Sequence, residues 1–119
     1  MDWTSVKHFK EEEFYSPDLE ECKMQYSFVR MLDRARTISN TPYIVNSGYR
    51  TPEHNKKVGG SPNSSHLKGL AADISCTNSV QRIKIVQGLI DSGFRRIGIS
   101  ETFIHVDSDP DKSDAIWLY

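Results

Sequence analysis

The stretch Ser64–Asp73 reads SSHLKGLAAD and joins a loop that contains His66 to a strand predicted over Leu70–Ser75. Two side chains that can bind metals and exchange protons, an imidazole and a carboxylate, lie within this short stretch. The small residues Gly69, Ala71 and Ala72 lie between them, which lets neighbouring backbone pack closely behind the two polar side chains. The stretch therefore predicts a chemical site where a loop meets a sheet.

A second stretch, Phe103–Asp107, reads FIHVD and has the alternating pattern of a strand with one face on a core. We predict that Ile104 and Val106 face that core. His105 and Asp107 then project together on the opposite face, because alternate side chains of a strand point to opposite sides. This stretch adds a second imidazole and a second carboxylate to the predicted site.

Apolar residues at helical spacing predict two long helices. The first covers about residues 25–39 and ends before Pro42. The second follows the predicted N-cap Asn78 and ends at Gly93. We expect its buried face to consist of Ile83, Val86, Leu89 and Ile90.

Further strands are predicted over Tyr43–Asn46, Arg96–Ile99 and Ile116–Tyr119. Residues 47–69 read as a long irregular connection, whose content of polar residues indicates a functional loop. Because helices and strands do not alternate regularly, we predict the α+β class. The expected architecture is a single small domain with a mainly antiparallel sheet flanked by helices.

Length and composition restrict the function. The 119 residues predict one domain, 1–119, with residues 1–20 forming an N-terminal segment that packs on it. The chain has 15 basic and 16 acidic residues, so no basic excess predicts a nucleic-acid partner. No apolar run is long enough for membrane insertion. We expect a monomer, since no heptad pattern or long apolar edge indicates self-association.

The first residues and the cysteines bear on the compartment. Residues 1–8 are polar and lack the apolar core of a secretory signal, so we expect a chain that is cytoplasmic as synthesised. Cys22 and Cys76 form neither a CxxC pair nor a zinc-ribbon pattern. We therefore expect both as reduced thiols.

His66, Asp73 and His105 together have the composition of a catalytic zinc site. Such a site needs three protein ligands and one open position for water, and neutral imidazoles with one carboxylate suit zinc. The residue types alone leave an alternative open. In that alternative His66 is a surface loop residue and His105 is a half-buried histidine without a metal.

Several motifs, in order along the chain, resemble one known family. They are SGYR at 47–50, TPEHN at 51–55, VGG at 58–60, Ser-x-His-x-x-Gly-x-Ala-x-Asp at 64–73 and Phe-x-His-x-Asp at 103–107. The family comprises the zinc D-alanyl-D-alanine carboxypeptidases and L-alanyl-D-glutamate endopeptidases, which cut peptidoglycan peptides. It includes phage endolysins and shares its fold with the hedgehog signalling domain. The likeness covers about residues 43–119.

The resemblance implies that His66, Asp73 and His105 bind zinc. It implies that Arg50 faces the substrate and holds a carboxylate or polarises the scissile carbonyl, since a guanidinium fork matches a carboxylate. It further implies the fold of that family, with a peptidoglycan stem peptide as the partner. The chain would then act on the cell wall after release or export.

The catalytic carboxylate does not carry over directly from the resemblance. Many relatives place it three residues before the last zinc histidine, where this chain has Thr102. Asp107 and Glu101 are the two candidates for the general base, and we favour Asp107 because it shares a strand face with His105. Asp107 could instead orient a zinc histidine, and Glu101 could be a solvated turn residue.

These features predict metal-assisted hydrolysis of a peptide bond at or near a D-residue. The carboxylate would take a proton from water and return it to the leaving amine, while the metal and Arg50 stabilise the developing oxyanion. The alternative is a zinc-bearing binding module of the same fold without turnover, since the hedgehog domain keeps its metal while serving recognition.

Overall fold

The computed structural model describes residues 2–119. Three α-helices are present in this part of the chain, α1 over Tyr26–Ser39, α2 over Pro52–Lys57 and α3 over Ser79–Ser92. Five strands follow the order β1 Val45–Ser47, β2 Ala71–Ser75, β3 Arg96–Ile99, β4 Phe103–Asp107 and β5 Ala115–Leu118. Short 3-10 turns lie at Trp3–Ser5, Glu11–Phe14 and Ser65–Lys68.

The five strands form one sheet with the spatial order β1-β2-β4-β3-β5. Neighbouring strands are antiparallel except for β3 and β5, which run parallel. The predicted α+β class with a mainly antiparallel sheet is therefore confirmed. Strand β4 lies at the centre of the sheet, so it can present side chains between two other strands on the face that does not pack on the core.

The core lies between the sheet and the two long helices. Ile104 and Val106 of β4 are fully buried there, as their alternation predicted. Phe28 and Leu32 of α1 and Leu89 of α3 belong to the same buried cluster. One face of the sheet is thus committed to packing, and the opposite face is available for polar side chains.

The predicted buried face of α3 is wrong in two positions. Ile83 is 64% exposed and Ile90 is 46% exposed, while Ile85 and Leu89 are fully buried. The reason is Gly88: a Cβ at this position would lie 2.6 Å from a carbonyl oxygen of α1. The helices approach each other at this small residue, and a prediction that follows large apolar residues selects the neighbouring stripe.

The connection over residues 47–69 is more regular than predicted. Pro52 occupies the first turn of α2, and the Thr51 hydroxyl accepts a hydrogen bond from the backbone N–H of His54 at 3.1 Å. Both residues are common at helix starts, so the signal for this short helix was present in the sequence. The helix and the following 3-10 turn give this region a defined structure, and we call it the wall below.

The N-terminal residues pack against the base of this wall. Phe14 is fully buried, and the backbone N–H of Tyr49 donates to its carbonyl at 3.0 Å. A Cβ at Gly48 would lie 2.8 Å from the Cα of Phe14, so the two segments touch through backbone atoms. Asp33 of α1 accepts the backbone N–H groups of Lys7 and His8, which ties the N-terminal segment to the helix.

Candidate metal centre

One row of paired residues crosses the open face of the sheet. From β1 to β5 it contains Ser47, Asp73, His105, Gly98 and Trp117, each paired with the next across a strand boundary. Side chains directly opposite each other on neighbouring strands lie within contact distance. The register of the sheet therefore brings Asp73 and His105 together, although 32 residues separate them in the sequence.

His66 joins this pair from the 3-10 turn at Ser65–Lys68. Its Nε2 lies 3.4 Å from Oδ1 of Asp73, and Nδ1 of His105 lies 2.9 Å from the same oxygen. One ligand-type atom from each of the three residues lies within 4.8 Å of the others. The structure thus brings together the three residues that the sequence identified as candidate ligands.

The orientation of His66 is set by a backbone contact. Its Nδ1 lies 2.8 Å from the carbonyl oxygen of Gly48, which can only accept a hydrogen bond. The proton of the neutral ring is therefore on Nδ1, and Nε2 keeps its lone pair towards Asp73. The turn that carries His66 is capped by the Ser64 hydroxyl and ends at Gly69, which has φ +69°.

The orientation of His105 is set by a carboxylate. Its Nε2 lies 2.8 Å from Oδ2 of Asp107, whose side chain is 1% exposed. The other carboxylate oxygen, Oδ1, accepts from Nε of Arg96 at 2.7 Å and from the backbone N–H of Asp109 at 3.1 Å. The Nδ1 edge of His105 therefore faces Asp73 and His66.

The charges of these groups are coupled. Burial raises the pKa of Asp73, but the adjacent imidazoles of His105 and His66 outweigh it and hold the pKa far below its usual range. Burial lowers the pKa of His105, yet the hydrogen bonds to Asp107 and Asp73 raise it overall. Asp107 likewise keeps a lowered pKa against its burial, chiefly through His105. Both carboxylates are therefore anionic at neutral pH.

The donor set fits a zinc ion. Two imidazole nitrogens and one carboxylate oxygen form a ligand set typical of catalytic zinc, and each imidazole is oriented by a hydrogen bond from its other nitrogen. The remaining side of the cluster opens into a cleft of about 470 Å³, which leaves room for a further ligand or a substrate.

The family model for peptidase M15 matches residues 7–107. This match spans most of the chain and contains His66, Asp73 and His105. The chain belongs to the peptidase M15 family. Members of this family are zinc-dependent metallopeptidases, in agreement with the resemblance found in the sequence motifs. No curated protein matches the chain at a significant level.

Arg50 of this M15 domain reaches the metal centre from the segment between β1 and α2. Its Nη2 lies 3.5 Å from Oδ2 of Asp73, and its Nε donates to the Ser47 hydroxyl at 3.1 Å. Nη1 lies 3.4 Å from Oδ1 of Asn55, a buried residue whose Nδ2 donates to the backbone carbonyl of Ser61. Arg50 is therefore held at the cleft with its guanidinium beside the candidate ligand Asp73.

Glu101 lies outside the cleft. It is exposed in the turn between β3 and β4, where its backbone carbonyl accepts from Arg82 at 3.0 Å. The turn interrupts the strand alternation before β4 begins, so Glu101 does not continue the face of His105 and Asp107. Neither Glu101 nor Thr102 belongs to the residues that line the cleft of the M15 domain.

One wall of the M15 cleft is aromatic, a feature that the sequence analysis missed. The rings of Phe103 and Tyr119 are 5.1 Å apart, and the ring of Trp117 lies 5.5 Å from that of His105. Trp117 and Tyr119 are two residues apart at the end of the chain. This spacing was the available signal, because it places both rings on the same face of a predicted strand.

Asp109 connects the two sides of the M15 centre and was also missed. Its carboxylate accepts from the Ser65 hydroxyl at 2.8 Å and from Nζ of Lys68 at 2.9 Å, both in the turn that carries His66. The side chain of Asp109 is fully buried. Its position two residues after Asp107 ties the His66 turn to the end of β4.

The remaining histidine of the N-terminal segment and the two cysteines have no hydrogen bond to the metal centre. His8 is exposed on the N-terminal segment, where Nε2 contacts the Thr37 hydroxyl at 2.8 Å. Cys22 and Cys76 are both free thiols. Within residues 2–119, no helix combines the length and apolar character needed to cross a membrane.

Proposed function

We propose that this M15 domain is a zinc peptidase that hydrolyses a peptide bond at or near a D-residue in peptidoglycan stem peptides. The observation that carries the proposal is the cluster of His66, Asp73 and His105, with both imidazoles oriented by hydrogen bonds. The cluster opens into a cleft that also contains Arg50. Both carboxypeptidase and endopeptidase cleavage are compatible with an open cleft.

Three residues would hold the metal, through Nε2 of His66, a carboxylate oxygen of Asp73 and Nδ1 of His105. A zinc ion bound there supplies a water of lowered pKa and a Lewis acid for the scissile carbonyl. The hydrogen bonds that the imidazoles donate to the Gly48 carbonyl and the Asp107 carboxylate keep them in the tautomers that this binding needs.

We assign Arg50 to the substrate side of the reaction. Its guanidinium lies in the cleft beside Asp73, where a substrate carboxylate or the scissile carbonyl oxygen would meet it. Planar guanidinium groups bind such oxygens through two N–H donors. With Nε anchored by Ser47 and Nη1 beside Asn55, Nη2 is the terminal nitrogen directed towards Asp73.

The two candidate carboxylates have different surroundings. Asp107 holds the proton on Nε2 of His105, because its oxygens are already bonded to His105, Arg96 and a backbone N–H. Accepting a proton from water would require Asp107 to give up one of these contacts. The Glu101 carboxylate has no such contacts among the described residues, but it lies in the exposed β3–β4 turn outside the cleft. Asp107 and Glu101 therefore both stay candidates for the general base.

The aromatic wall supports a substrate with apolar groups beside its charged ones. Phe103, Trp117 and Tyr119 line the cleft together with the cationic side chain of Arg50. Stem peptides combine alanine methyl groups with free carboxylates, and such a ligand matches a cleft that is partly aromatic and partly cationic.

The function is tested with the full chain and synthetic stem peptides that contain D-residues, with the all-L peptides of the same sequence as the control. We expect hydrolysis of the D-containing peptides only, loss of hydrolysis after chelation, and recovery when zinc is restored. Mass spectrometry of the products identifies the bond. Hydrolysis that survives both the chelator and His66→Ala would contradict the proposal.

One observation favours a second function, a zinc-bearing recognition module. Among the described residues that line the cleft, both carboxylates, those of Asp73 and Asp107, already have partners. A cleft without a free general base suits a domain that binds stem peptides without cleaving them. Zinc-dependent binding of D-containing peptides, with no product over long incubation, would support this alternative.

A further inference from the structure

Arg96 belongs to none of the sequence motifs, yet it is linked to the candidate metal centre through Asp107, which contacts the candidate ligand His105. It pairs with Asp107 across β3 and β4, two positions along the strands from the row that contains His105 and therefore on the same face of the sheet. Its Nε donates to Oδ1 of Asp107 at 2.7 Å, and its side chain is only 16% exposed. A hydrogen bond between two buried charged groups is among the strongest that side chains make.

Two further contacts restrain the guanidinium of Arg96. Its Nη1 donates to the carbonyl oxygen of Ser113, and its Cζ lies 4.8 Å from the ring centre of Trp117. Gly98 leaves the space for this indole, because a Cβ there would lie 2.6 Å from Nε1 of Trp117. The same indole lies against the ring of His105. Arg96 is thus fixed by a backbone carbonyl on one side and an aromatic face on the other.

We propose that Arg96 is a positioning residue for His105, acting through Asp107 to hold the imidazole with Nδ1 towards Asp73 and His66. The inference rests on the proposed function in one respect, that these three residues hold a metal. Arg96 forms no hydrogen bond or ion pair with His66, Asp73 or His105, although it lines the same cleft. Its effect passes through the carboxylate of Asp107, whose Oδ1 contacts Arg96 and whose Oδ2 contacts His105.

The physical reason is that Arg96 compensates the negative charge of Asp107 and holds one of its two carboxylate oxygens. Without Arg96, the buried carboxylate would be compensated only by His105 and the backbone N–H of Asp109. It would then rotate towards other donors or draw water into the site, because a buried charge is costly without a partner. Either change relaxes the constraint on the imidazole, and metal ligands that lose such partners typically bind about 10- to 100-fold more weakly.

Arg95 supplies a matched control, because it is the same residue type at the neighbouring position of the chain. Its side chain is 75% exposed and pairs with the exposed Asp114 at 3.2 Å. Removal of this surface pair changes little, since exposed ion pairs contribute little to stability. Arg95→Gln and Arg96→Gln therefore remove the same charge, and only the second removes the contact to Asp107.

The experiment measures the zinc dissociation constant of the full chain by competition with a chelator. We expect Arg96→Gln to weaken binding about 10- to 100-fold, and Arg95→Gln to leave it within about 2-fold. Arg96→Lys should fall between them, because an ammonium keeps the charge but not the planar fork. Equal dissociation constants for Arg96→Gln and the parent chain would overturn the inference.

Spectroscopy on the metal-free chain distinguishes a positioning role of Arg96 towards His105 from a purely structural role. Nitrogen-15 NMR of the His105 ring reports which nitrogen is hydrogen-bonded to Asp107. We expect the Nε2 signal to shift in Arg96→Gln and to stay in place in Arg95→Gln. If Arg96→Gln does not fold, the zinc dissociation constant and the Nε2 signal are measured on Arg96→Lys instead. An unchanged Nε2 signal and an unchanged zinc affinity in Arg96→Lys would then reject the inference.

A double substitution tests the path through Asp107. If Arg96 acts only through this carboxylate, then Arg96→Gln added to Asp107→Asn should weaken zinc binding no further than Asp107→Asn alone. Fully additive losses would contradict the path. Failure of the proposed function remains distinguishable, because a chain that binds zinc without cleaving peptides still tests Arg96, whereas a chain that binds no zinc refutes both.

Discussion

The two histidines of the metal centre are held in different ways. His66 lies in a turn, and a backbone carbonyl sets its orientation. His105 lies in the central strand, and a chain of charged side chains, Asp107 and Arg96, sets its orientation. We call the surroundings of His66 the loop side and the surroundings of His105 the sheet side. The orientation of the histidine depends on how segments pack together on the loop side, and on charge and strand register on the sheet side. Substitutions that disturb packing should affect the first side most, and substitutions that remove charge should affect the second.

The largest effect is expected from the ligands themselves. His66→Ala, Asp73→Ala and His105→Ala should each lose most of the bound zinc, because each removes one of three protein donors. Elemental analysis of the purified variants measures this directly. His54→Ala, on the neighbouring helix α2, is the matched control and should retain zinc. Full retention in any ligand variant would remove that residue from the site.

The loop side should be sensitive to the packing under His66. Gly48→Ala places a Cβ 2.8 Å from the backbone of Phe14, and should cost about 1–3 kcal/mol of unfolding free energy. Gly98→Ala, on the sheet side, meets ring atoms of Trp117 and Tyr119 rather than backbone, and because side chains can shift more easily than backbone, its cost should be lower. Urea denaturation of both variants makes the comparison. Equal losses would show that the two sides do not differ in this way.

Asp109, which ties the turn of His66 to the end of β4, should make the free energy of unfolding depend on pH. Burial raises the pKa of Asp109, but hydrogen bonds from Lys68 and Ser65 prevail and hold the pKa at about 2. Because an unfolded aspartate titrates near pH 4, this interaction stabilises the fold above pH ~4 and is lost as the pH falls towards ~2.

The expected stabilisation by Asp109 is about 2 kcal/mol. Urea unfolding of the metal-free chain from pH 2 to pH 6 should therefore show a pH dependence that Asp109→Asn reduces by this amount. The difference between the two chains isolates Asp109, since Asp73 and Asp107 are present in both. An identical pH dependence would contradict the assigned pKa.

The smallest effect on zinc is expected from Glu101→Gln, because the side chain is exposed and outside the cleft. Zinc content should be unchanged, while peptide hydrolysis should fall if Glu101 exchanges protons with the substrate. Asp107→Asn should reduce zinc affinity as well as hydrolysis. Hydrolysis that survives Glu101→Gln but disappears in Asp107→Asn at saturating zinc would assign proton transfer to Asp107.

Much of the fold follows from local sequence patterns. The helix predicted near residues 25–39 is α1, and the strand predicted over Phe103–Asp107 has the same bounds in the structure. These elements are long or strictly alternating, so local pattern and final packing agree. The buried face of α3 was predicted wrongly at Ile83 and Ile90, because the closest helix contact is made by Gly88 rather than by a large apolar residue.

The candidate site was only partly accessible to sequence reasoning. His66, Asp73 and His105 carry residue types that indicate a metal, and motif resemblance named them together. Arg96 carries no such signal, since its importance arises from the β3–β4 register that places it opposite Asp107. Contacts of this kind join positions by hydrogen-bonded pairing rather than by spacing, so a single sequence does not reveal them.

The central claim is that His66, Asp73 and His105 form a zinc site. The most direct test is the zinc content of the purified full chain after zinc addition and exhaustive dialysis, measured beside the three ligand variants. The account predicts about one zinc per chain in the parent protein and little in each variant. A parent chain that retains no zinc, or variants that retain as much as the parent, would contradict it.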